Sequence, residues 1–568
     1  MNDNTNFFLA IGISIMILMG FHWFYEVPKQ RAAQSQVQAT QIIAKEQPVV
    51  ETVTAPKQRS EVIAASKRIS LGNEHIHGSI NLKGARFDDL TLIRYHETVD
   101  KSSPEIVLLS PAGSNQEHPA YYAELGWLAT DEKTKLPAGD TEWQSDATKL
   151  TAGKSVVLHW DNGQGLKFER TINLDGNYMF TVTDKVTNSS GADVTLVPFG
   201  LVSRHGLPAH VGAGTSHEGL TGVLDGQLRE KDYKKLKDEP LTTYTSKGGW
   251  IGMADVYWFT GIIPDQNDNL TARFLYSSVN GQNRYQSDVK SDPVVIKAGA
   301  DASKTYHVFT GAKEVAALEN YGDALKIPMF DKAVDFGWFY IIAKPFFHVI
   351  DWLGKTFGNY GLAIIAFTIL LRLLFFPLSE ASYRSMARMK ELQPEMNRLK
   401  ERYSADPVKM NEEVTKLYQK EKINPLSGCL PILIQIPVFF ALYKVLLVSI
   451  EMRHAPFYGW VHDLSAPDPS NIFTLFGLFA LPSFLSFLHL GIWPLLMGAT
   501  MYIQQMLSPP QADKTTQQVF MLMPIMFTFL FAGMSAGLVI YWTLSNVLAI
   551  AQQVLIKHRS NKDATAKT

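Results

Sequence analysis

The stretch YGLAIIAFTILLRLLFFPL, Tyr360 to Leu378, constrains this chain more than any other. It is apolar almost throughout and close to the roughly 20 residues that a bilayer-crossing helix needs. Arg372 sits inside it, with no acid anywhere in the stretch. A guanidinium stays protonated at any working pH, so it enters the membrane charged. Insertion scales put that cost at roughly 2.5–3.5 kcal/mol at mid-depth. A helix that carries such a residue usually turns it toward a polar or water-filled interior. The bland alternative is an arginine that snorkels to the headgroups, since Arg372 lies only six residues before Leu378.

Further apolar runs fit the same solvent. Phe7 to Tyr25 ends in bulky aromatics with no small-residue cleavage site behind it, so it reads as a retained anchor. Gly428 to Ile450 carries Gln435, Pro431 and Pro437; Gly491 to Leu507 ends in Gln504 and Gln505; Val519 to Phe531 surrounds Pro524. Gly537 to Ile556 carries Ser545, Asn546, Gln552 and Gln553. With Tyr360–Leu378 these make six transmembrane helices. Ile472 to Leu490 is also apolar, but counting it would put the basic tail (Lys557, Arg559, Lys562, Lys567) opposite the basic loop. The positive-inside bias opposes that, so it reads as re-entrant or interfacial.

That basic loop is Ser379 to Pro425, with ten Lys/Arg against eight acids. Met389, Leu392, Met396, Leu399 and Tyr403 step by three and four, and Met410, Val414 and Leu417 repeat the pattern. Asp406 followed by Pro407 is a helix N-cap and first-turn pair. A cytoplasmic helical hairpin follows from the charge and the spacing. Ahead of the Arg372 stretch, Trp338, Ile342, Phe346, Val349 and Leu353 keep helical spacing opposite Lys344, His348, Asp351 and Lys355. Such a helix, read over Asp331 to Phe357 with a kink at Pro345, lies in the membrane interface.

Residues 61–326 change period. In LKFERTINL, Leu166, Phe168, Ile172 and Leu174 alternate with Lys167, Glu169, Thr171 and Asn173, and Gly/Asn/Asp turns bound the strands. This predicts a large antiparallel β-sandwich. Its loop histidines, His205, His210 and His217, show no partnered carboxylate at a recognisable spacing. The net charge of −1 gives no reason to expect nucleic acid, and Cys429, the single cysteine, excludes a disulfide framework or a multi-thiolate zinc site. No phosphate-binding loop marks an ATP motor.

The expected fold is therefore a multidomain membrane protein, an α-helical polytopic membrane domain joined to a periplasmic β-sandwich. Its parts are an anchor at 1–27, a flexible tether at 28–60, the sandwich at 61–326 and the interfacial helix at 327–358. A five-helix core at 359–556 contains the hairpin 379–425, and a basic tail occupies 557–568. Both termini are expected in the cytoplasm, with residues from about 26 to 358 in the periplasm.

The segments TILLRLLFFPLS, KINPLSGCLPILIQIPVFFALY, APFYGWVHDLSAPDP and MPIMFTFLFAGMSAGLVIYWTLSNVLAIAQQ resemble the bacterial YidC family of membrane protein insertases. The resemblance covers about Asp331 to Ile556, and the sandwich matches by position and length, looking like the Gram-negative version with its mutarotase-like fold. It implies a non-enzymatic insertase and chaperone of inner-membrane proteins, without a cofactor or metal, working alone or with the Sec translocon. The implied site is a hydrophilic groove open to cytoplasm and lipid. The groove arginine falls on Arg372, and substrate contacts resemble Thr368, Gln435, Phe439, Pro524 and Trp542. Many members carry Tyr where Trp542 stands, and the insertion Ile472–Leu490 is longer than the family pattern. The implied partners are nascent membrane proteins, SecD and SecY of the translocon, the ribosome and membrane lipids, with no nucleic acid bound by the chain itself. Two other readings are a membrane-anchored periplasmic sugar-active enzyme, which a paired His and carboxylate in a pocket would favour, and an anion transporter using Arg372, which inverted repeats would favour.

Overall fold

The computed structural model describes residues 56–208, 216–279, 281–404, 406–421, 430–474, 489–507 and 514–565. The expected N-terminal anchor, most of the tether, His210, most of Ile472–Leu490 and the end of the basic tail lie outside the described residues. The chain divides into two compact units, one ending at Asp335 and one starting at Phe336.

The first unit is two β-sheets packed face to face. The larger has eleven strands. Its main path runs Leu241–Lys247, Asn269–Val279, Gln282–Ser291, Val194–His205, Tyr121–Ala129, Arg86–His96, Ile76–Asn81, Arg68–Gly72 and Lys149–Thr151. The smaller has eight, running Gln227–Asp232, Gly219–Leu224, Trp250–Ala254, Trp258–Ile263, Asp301–Ala312, Met179–Asn188, Leu166–Leu174 and Ser155–Asp161. Its pairs are antiparallel; in the larger sheet Arg68–Gly72 runs parallel to Lys149–Thr151.

LKFERTINL alternates as its residues dictate. Leu166, Phe168, Ile172 and Leu174 are buried, while Lys167, Glu169 and Asn173 are exposed. The same alternation carries Arg170 inward, to 1% exposure. It survives there because Asp184 on the neighbouring strand accepts from its Nε at 2.6 Å and its Nη2 at 2.7 Å, and the Leu125 carbonyl accepts at 2.8 Å. The Gly/Asn/Asp turns that bound these strands suggest a continuous meander, but it ends after the second strand. The chain crosses to the other sheet at the NSSGA turn, where buried Asn188 donates to the carbonyls of Ala192 and Ile296.

The tether also ends sooner than its composition indicates. Lys57 bridges to Ser114, and Arg59, in the turn of helix Arg59–Ala64, pairs with Asp89. At the far end of the sandwich, Lys313 is fully buried and its Nζ makes no hydrogen bond among the described residues. Burial pushes its ammonium down to about 8, against the opposing pull of Asp335, Asp255, Glu218 and Glu230.

Helix α1 (Val315–Leu325) closes the first unit. The second unit is helical: α2 (Tyr340–Phe357), α3 (Tyr360–Leu374), α4 (Phe376–Glu391), α5 (Gln393–Arg402), α6 (Pro407–Lys420), α7 (Leu430–Val448), α8 (Ile492–Leu507), α9 (Lys514–Ala532) and α10 (Ala536–Thr565). The interfacial helix starts at Tyr340 rather than Asp331. Gly337 has φ +66°, which stops a right-handed helix, and two short 3-10 turns fill the gap. Pro345 lies inside α2; Ile341 and Trp352 are exposed along it, and Trp338 is exposed in the 3-10 turn ahead of it.

The Arg372 stretch is not one helix through Leu378. It stops at Leu374 and restarts at Phe376, bent by 58°. Pro377 explains the break, because it has no N–H for the carbonyl four residues back. Asn359 caps α3 by accepting from the Leu362 N–H at 3.0 Å. In the hairpin, Asp406 accepts from the Lys409 N–H at 3.1 Å with Pro407 at the first position of α6. Met396 and Leu417 are buried, and the Tyr418 hydroxyl meets the Met396 sulfur at 3.2 Å.

α10 packs along α8 and α3, α8 also against α9, and α2 against α3 and α7. Gly498 makes the α8–α9 approach possible: a Cβ there would lie 2.0 Å from Thr528 Oγ1. Among the described residues Ala536–Ile556 is long and apolar enough to cross a membrane by itself, and the bent pair Tyr360–Leu374 with Phe376–Met389 qualifies if taken as one span. Leu433–Val448 and Phe520–Ala532 are shorter apolar helices.

Candidate functional site

Thr368 and Arg372 are four apart on α3, so they share one face. Tyr541 and Ser545 repeat that spacing on α10, and α7 contributes Gln435 between Ile434 and Val438. The three faces converge on a pocket of about 460 Å³, part of it open to the surroundings, with Leu371, Phe375, Leu378 and Ser379 completing the wall. The bend at Phe375 matters here, since it swings Ser379 of α4 to the pocket's edge.

Among the described residues no acid lines this pocket. Arg372 donates through Nε at 3.2 Å and Nη2 at 2.5 Å to one neutral acceptor, Ser545 Oγ. Gln435 Nε2 donates to the Tyr541 hydroxyl at 2.8 Å. The Arg372 carbonyl, on the turn that Pro377 disrupts, accepts from Gln552 Nε2 at 3.3 Å. Thr368 bonds the Ile364 carbonyl of its own helix at 2.6 Å. The result is one cation with no acid beside it among the described residues, ringed by hydroxyls and an amide. Such a site attracts water and anionic or polar groups, and the low surrounding dielectric strengthens that attraction.

Of the residues singled out in the sequence, Arg372, Thr368 and Gln435 meet in the pocket. Phe439 and Trp542 do not line it but pack beside it, ring centroids 4.9 Å apart and edge to face. Phe531 joins them, 5.1 Å from Trp542 and 5.7 Å from Phe439. Pro524 is apart from both groups. It is buried in α9 facing Gly498, and its carbonyl accepts from Thr528 Oγ1 at 2.7 Å. Tyr541 was not singled out from the sequence; its spacing to Ser545 in YWTLS is the signal that could have found it.

The histidines of the sandwich lie elsewhere. His205 ends a strand, and His217, contrary to the sequence reading, does have a carboxylate partner: its Nδ1 is 2.9 Å from Asp232 Oδ1. That hydrogen bond holds the Asp232 carboxyl down at about 2.

Comparison with known proteins decides the family. Residues 352–563 match the model described as 60Kd inner membrane protein, and residues 68–349 match the YidC periplasmic domain. The chain belongs to the YidC family. A membrane protein insertase YidC of Bradyrhizobium diazoefficiens is 46% identical, over 99% of this chain and 97% of its own length. Another, of Granulibacter bethesdensis, is also 46% identical, over 98% of each chain. Among solved structures, an active YidC insertase with its first transmembrane domain resolved covers 85% of this chain and 92% of its own, at 18% identity and a TM-score of 0.35. The family is one of inner-membrane insertases rather than enzymes, and its periplasmic domain here is the β-sandwich.

Proposed function

We propose that this protein inserts and folds inner-membrane proteins by receiving a polar stretch of the incoming chain in the Arg372 pocket. One observation supports the mechanism: a guanidinium in an apolar helical unit whose hydrogen bonds go to a neutral hydroxyl, in a pocket that no acid lines among the described residues. Thr368 and Gln435 offer further hydrogen bonds, and the aromatic wall of Phe439 and Trp542 gives the apolar part of the substrate a surface to slide on. Pro524 acts more remotely, by fixing α9 against α8. No nucleotide is needed, because transfer of the next apolar segment into lipid releases roughly 0.8 kcal/mol per buried CH₂.

The same reading holds the chain as six spans with both termini in the cytoplasm. The hydrogen bond from the Ile472 N–H to the Leu490 carbonyl, 3.1 Å, supports the re-entrant or interfacial reading, since it brings both ends of that segment together. The basic hairpin is the surface for the ribosome and nascent chain, and SecD and SecY are the partners for substrates that also use the translocon. Neither the sugar-enzyme nor the transporter alternative gains support from relatives that are named insertases over their full length. The test is photo-crosslinking from Gln435 and Phe439 to a stalled nascent membrane protein. Crosslinks at both positions are expected, and their absence alongside normal insertion would remove the pocket from the pathway.

A further inference from the structure

Residues 454–471, which follow α7, tie together helices that the pocket needs. A helix start leaves its first N–H groups without partners inside the helix. For α8 and α10 this segment supplies them. Ser470 Oγ accepts from the Ile492 N–H at 2.9 Å and Asp468 Oδ2 from the Trp493 N–H at 2.8 Å, at the first two positions of α8. The Ala466 carbonyl accepts from the Ala536 N–H at 2.7 Å and the Leu464 carbonyl from the Gly537 N–H at 3.0 Å, at the first two positions of α10. The start of α3 is drawn in as well. Asn359 Nδ2 donates to the Pro456 carbonyl at 3.3 Å, and a Cβ on Gly361 would lie 2.0 Å from the Phe457 ring.

Asp468 is the knot of this segment, and it is 1% exposed. Its Oδ1 accepts from Trp460 Nε1 at 2.9 Å, from the Ser470 N–H at 2.9 Å and from Ser470 Oγ at 2.7 Å. Its own carbonyl accepts from His489 Nε2 at 2.7 Å. Both side-chain oxygens act as acceptors, which suits a carboxylate and not an amide. A negative charge also suits the start of a helix. Gly491 makes the room, since a Cβ there would lie 2.6 Å from Asp468 Cγ.

Two ties carry the position of Asp468 to the pocket. From its capped start α10 reaches Ser545 in nine residues, roughly 13.5 Å at 1.5 Å per residue. α8 packs along α10, and beside Ser545 the Asn546 Nδ2 donates to Thr500 Oγ1 of α8 at 3.3 Å. Ser545 Oγ in turn accepts from Nε and Nη2 of Arg372. A shift at the start of either helix therefore moves the acceptor that aims the cation.

We infer that Asp468 is a positioning residue of the insertase: by locking residues 454–471 over the starts of α3, α8 and α10, it holds Ser545 where it aims Arg372 into the pocket. This rests on the reading of the pocket as the substrate groove. A carboxylate that served stability alone would, once removed, slow all substrates alike. A positioning carboxylate, once removed, costs most for substrates that use the charge of Arg372.

The experiment uses full-length protein in reconstituted vesicles and single-span substrates whose matched translocated tails carry Asp or Asn. The readout is the ratio of the two insertion rates, Asp over Asn, which a general loss of stability does not move. Asp468→Asn keeps the size of the side chain, but its Nδ2 accepts no hydrogen bond. It should lower the ratio by roughly threefold to tenfold, the range of one lost hydrogen bond. Ser470→Ala should act in the same direction and less. In Ser545→Ala protein, Asp468→Asn should lower the ratio no further, because the residue it acts through is gone. An unchanged ratio in folded Asp468→Asn protein overturns the proposal, and so does an undiminished effect of Asp468→Asn in the Ser545→Ala background. Where Asp468→Asn does not fold, an unchanged ratio in Ser470→Ala overturns it instead. If Arg372→Ala itself leaves the ratio unchanged, the reading of the pocket fails and this proposal with it. If Arg372→Ala lowers the ratio and Asp468→Asn does not, the role of Asp468 alone is refuted.

Discussion

Replacing Arg372 with alanine removes the one positive charge of the pocket while leaving its walls, and the effect should depend on the substrate. At about 4 Å and an effective dielectric of about 20, a guanidinium attracts a carboxylate by roughly 4 kcal/mol. Part of that is offset by stripping water from the carboxylate, and Ser545 already holds Nε and Nη2. A charge-assisted hydrogen bond nets roughly 1.5–3 kcal/mol, which is about ten- to hundredfold in rate if the contact forms on the way to insertion. The assay is insertion into reconstituted vesicles of single-span substrates with matched translocated tails, carrying Asp or Asn. Arg372→Ala should slow the Asp tail by that factor and the Asn tail far less, so the double-mutant cycle shows coupling. Arg372→Lys keeps the charge but loses the fork on Ser545, and should retain most activity. Equal rates for both tails in folded Arg372→Ala protein, whether both slow or both normal, would refute the electrostatic role and leave Arg372 as a structural tie to Ser545.

Four further outcomes are expected. Gly498→Val forces a Cβ to 2.0 Å from Thr528 Oγ1, so α8 and α9 must separate, and the melting temperature in detergent should fall by several degrees. Lys313→Met should stabilise the sandwich by up to about 3 kcal/mol in urea unfolding at pH 7. The folded ammonium is held at about 8 against roughly 10.4 unfolded, so its penalty is complete below pH 8 and fades as pH rises toward 10.4; a gain that does not shrink over that range would contradict this. Deleting about Glu61 to Gly311 while keeping α2 should leave insertion largely intact, and a folded, correctly localised truncation with no insertion would disprove it. A reporter fused after Ile556 should read cytoplasmic and one at Ser470 periplasmic, whereas a periplasmic tail would mean that 472–490 spans the membrane.

What could be read in advance followed local rules. The alternation in LKFERTINL and the Asp406–Pro407 cap depend on neighbours within a turn or two, and both stand in the structure. Arg170 shows the limit. Its period marks it as inward, but its charge argues for water, and partners on other strands, Asp184 and the Leu125 carbonyl, resolve the conflict. The same limit applies to the pocket. Arg372 stands out as a charge in an apolar run, whereas Tyr541 and Ser545 are unremarkable on their own helix and gain a role only when α10 meets α3. The break at Phe375 is hidden in the sequence by an apolar run that continues to Leu378, although Pro377 ends the helical hydrogen bonding within it.

That break is also a fulcrum. Leu371 and Arg372 line the pocket from one side of it, Leu378 and Ser379 from the other. α4 extends roughly 24 Å beyond it at 1.5 Å per residue, while Ser379 lies only about 6 Å away. A rotation of α4 by about ten degrees would therefore move its far tip by roughly 4 Å and the pocket wall by about 1 Å. With Phe375 as the pivot, the hairpin would be the long arm of a lever with a mechanical ratio of about four to one. A load at its tip would become a small, forceful adjustment at the width of the pocket mouth.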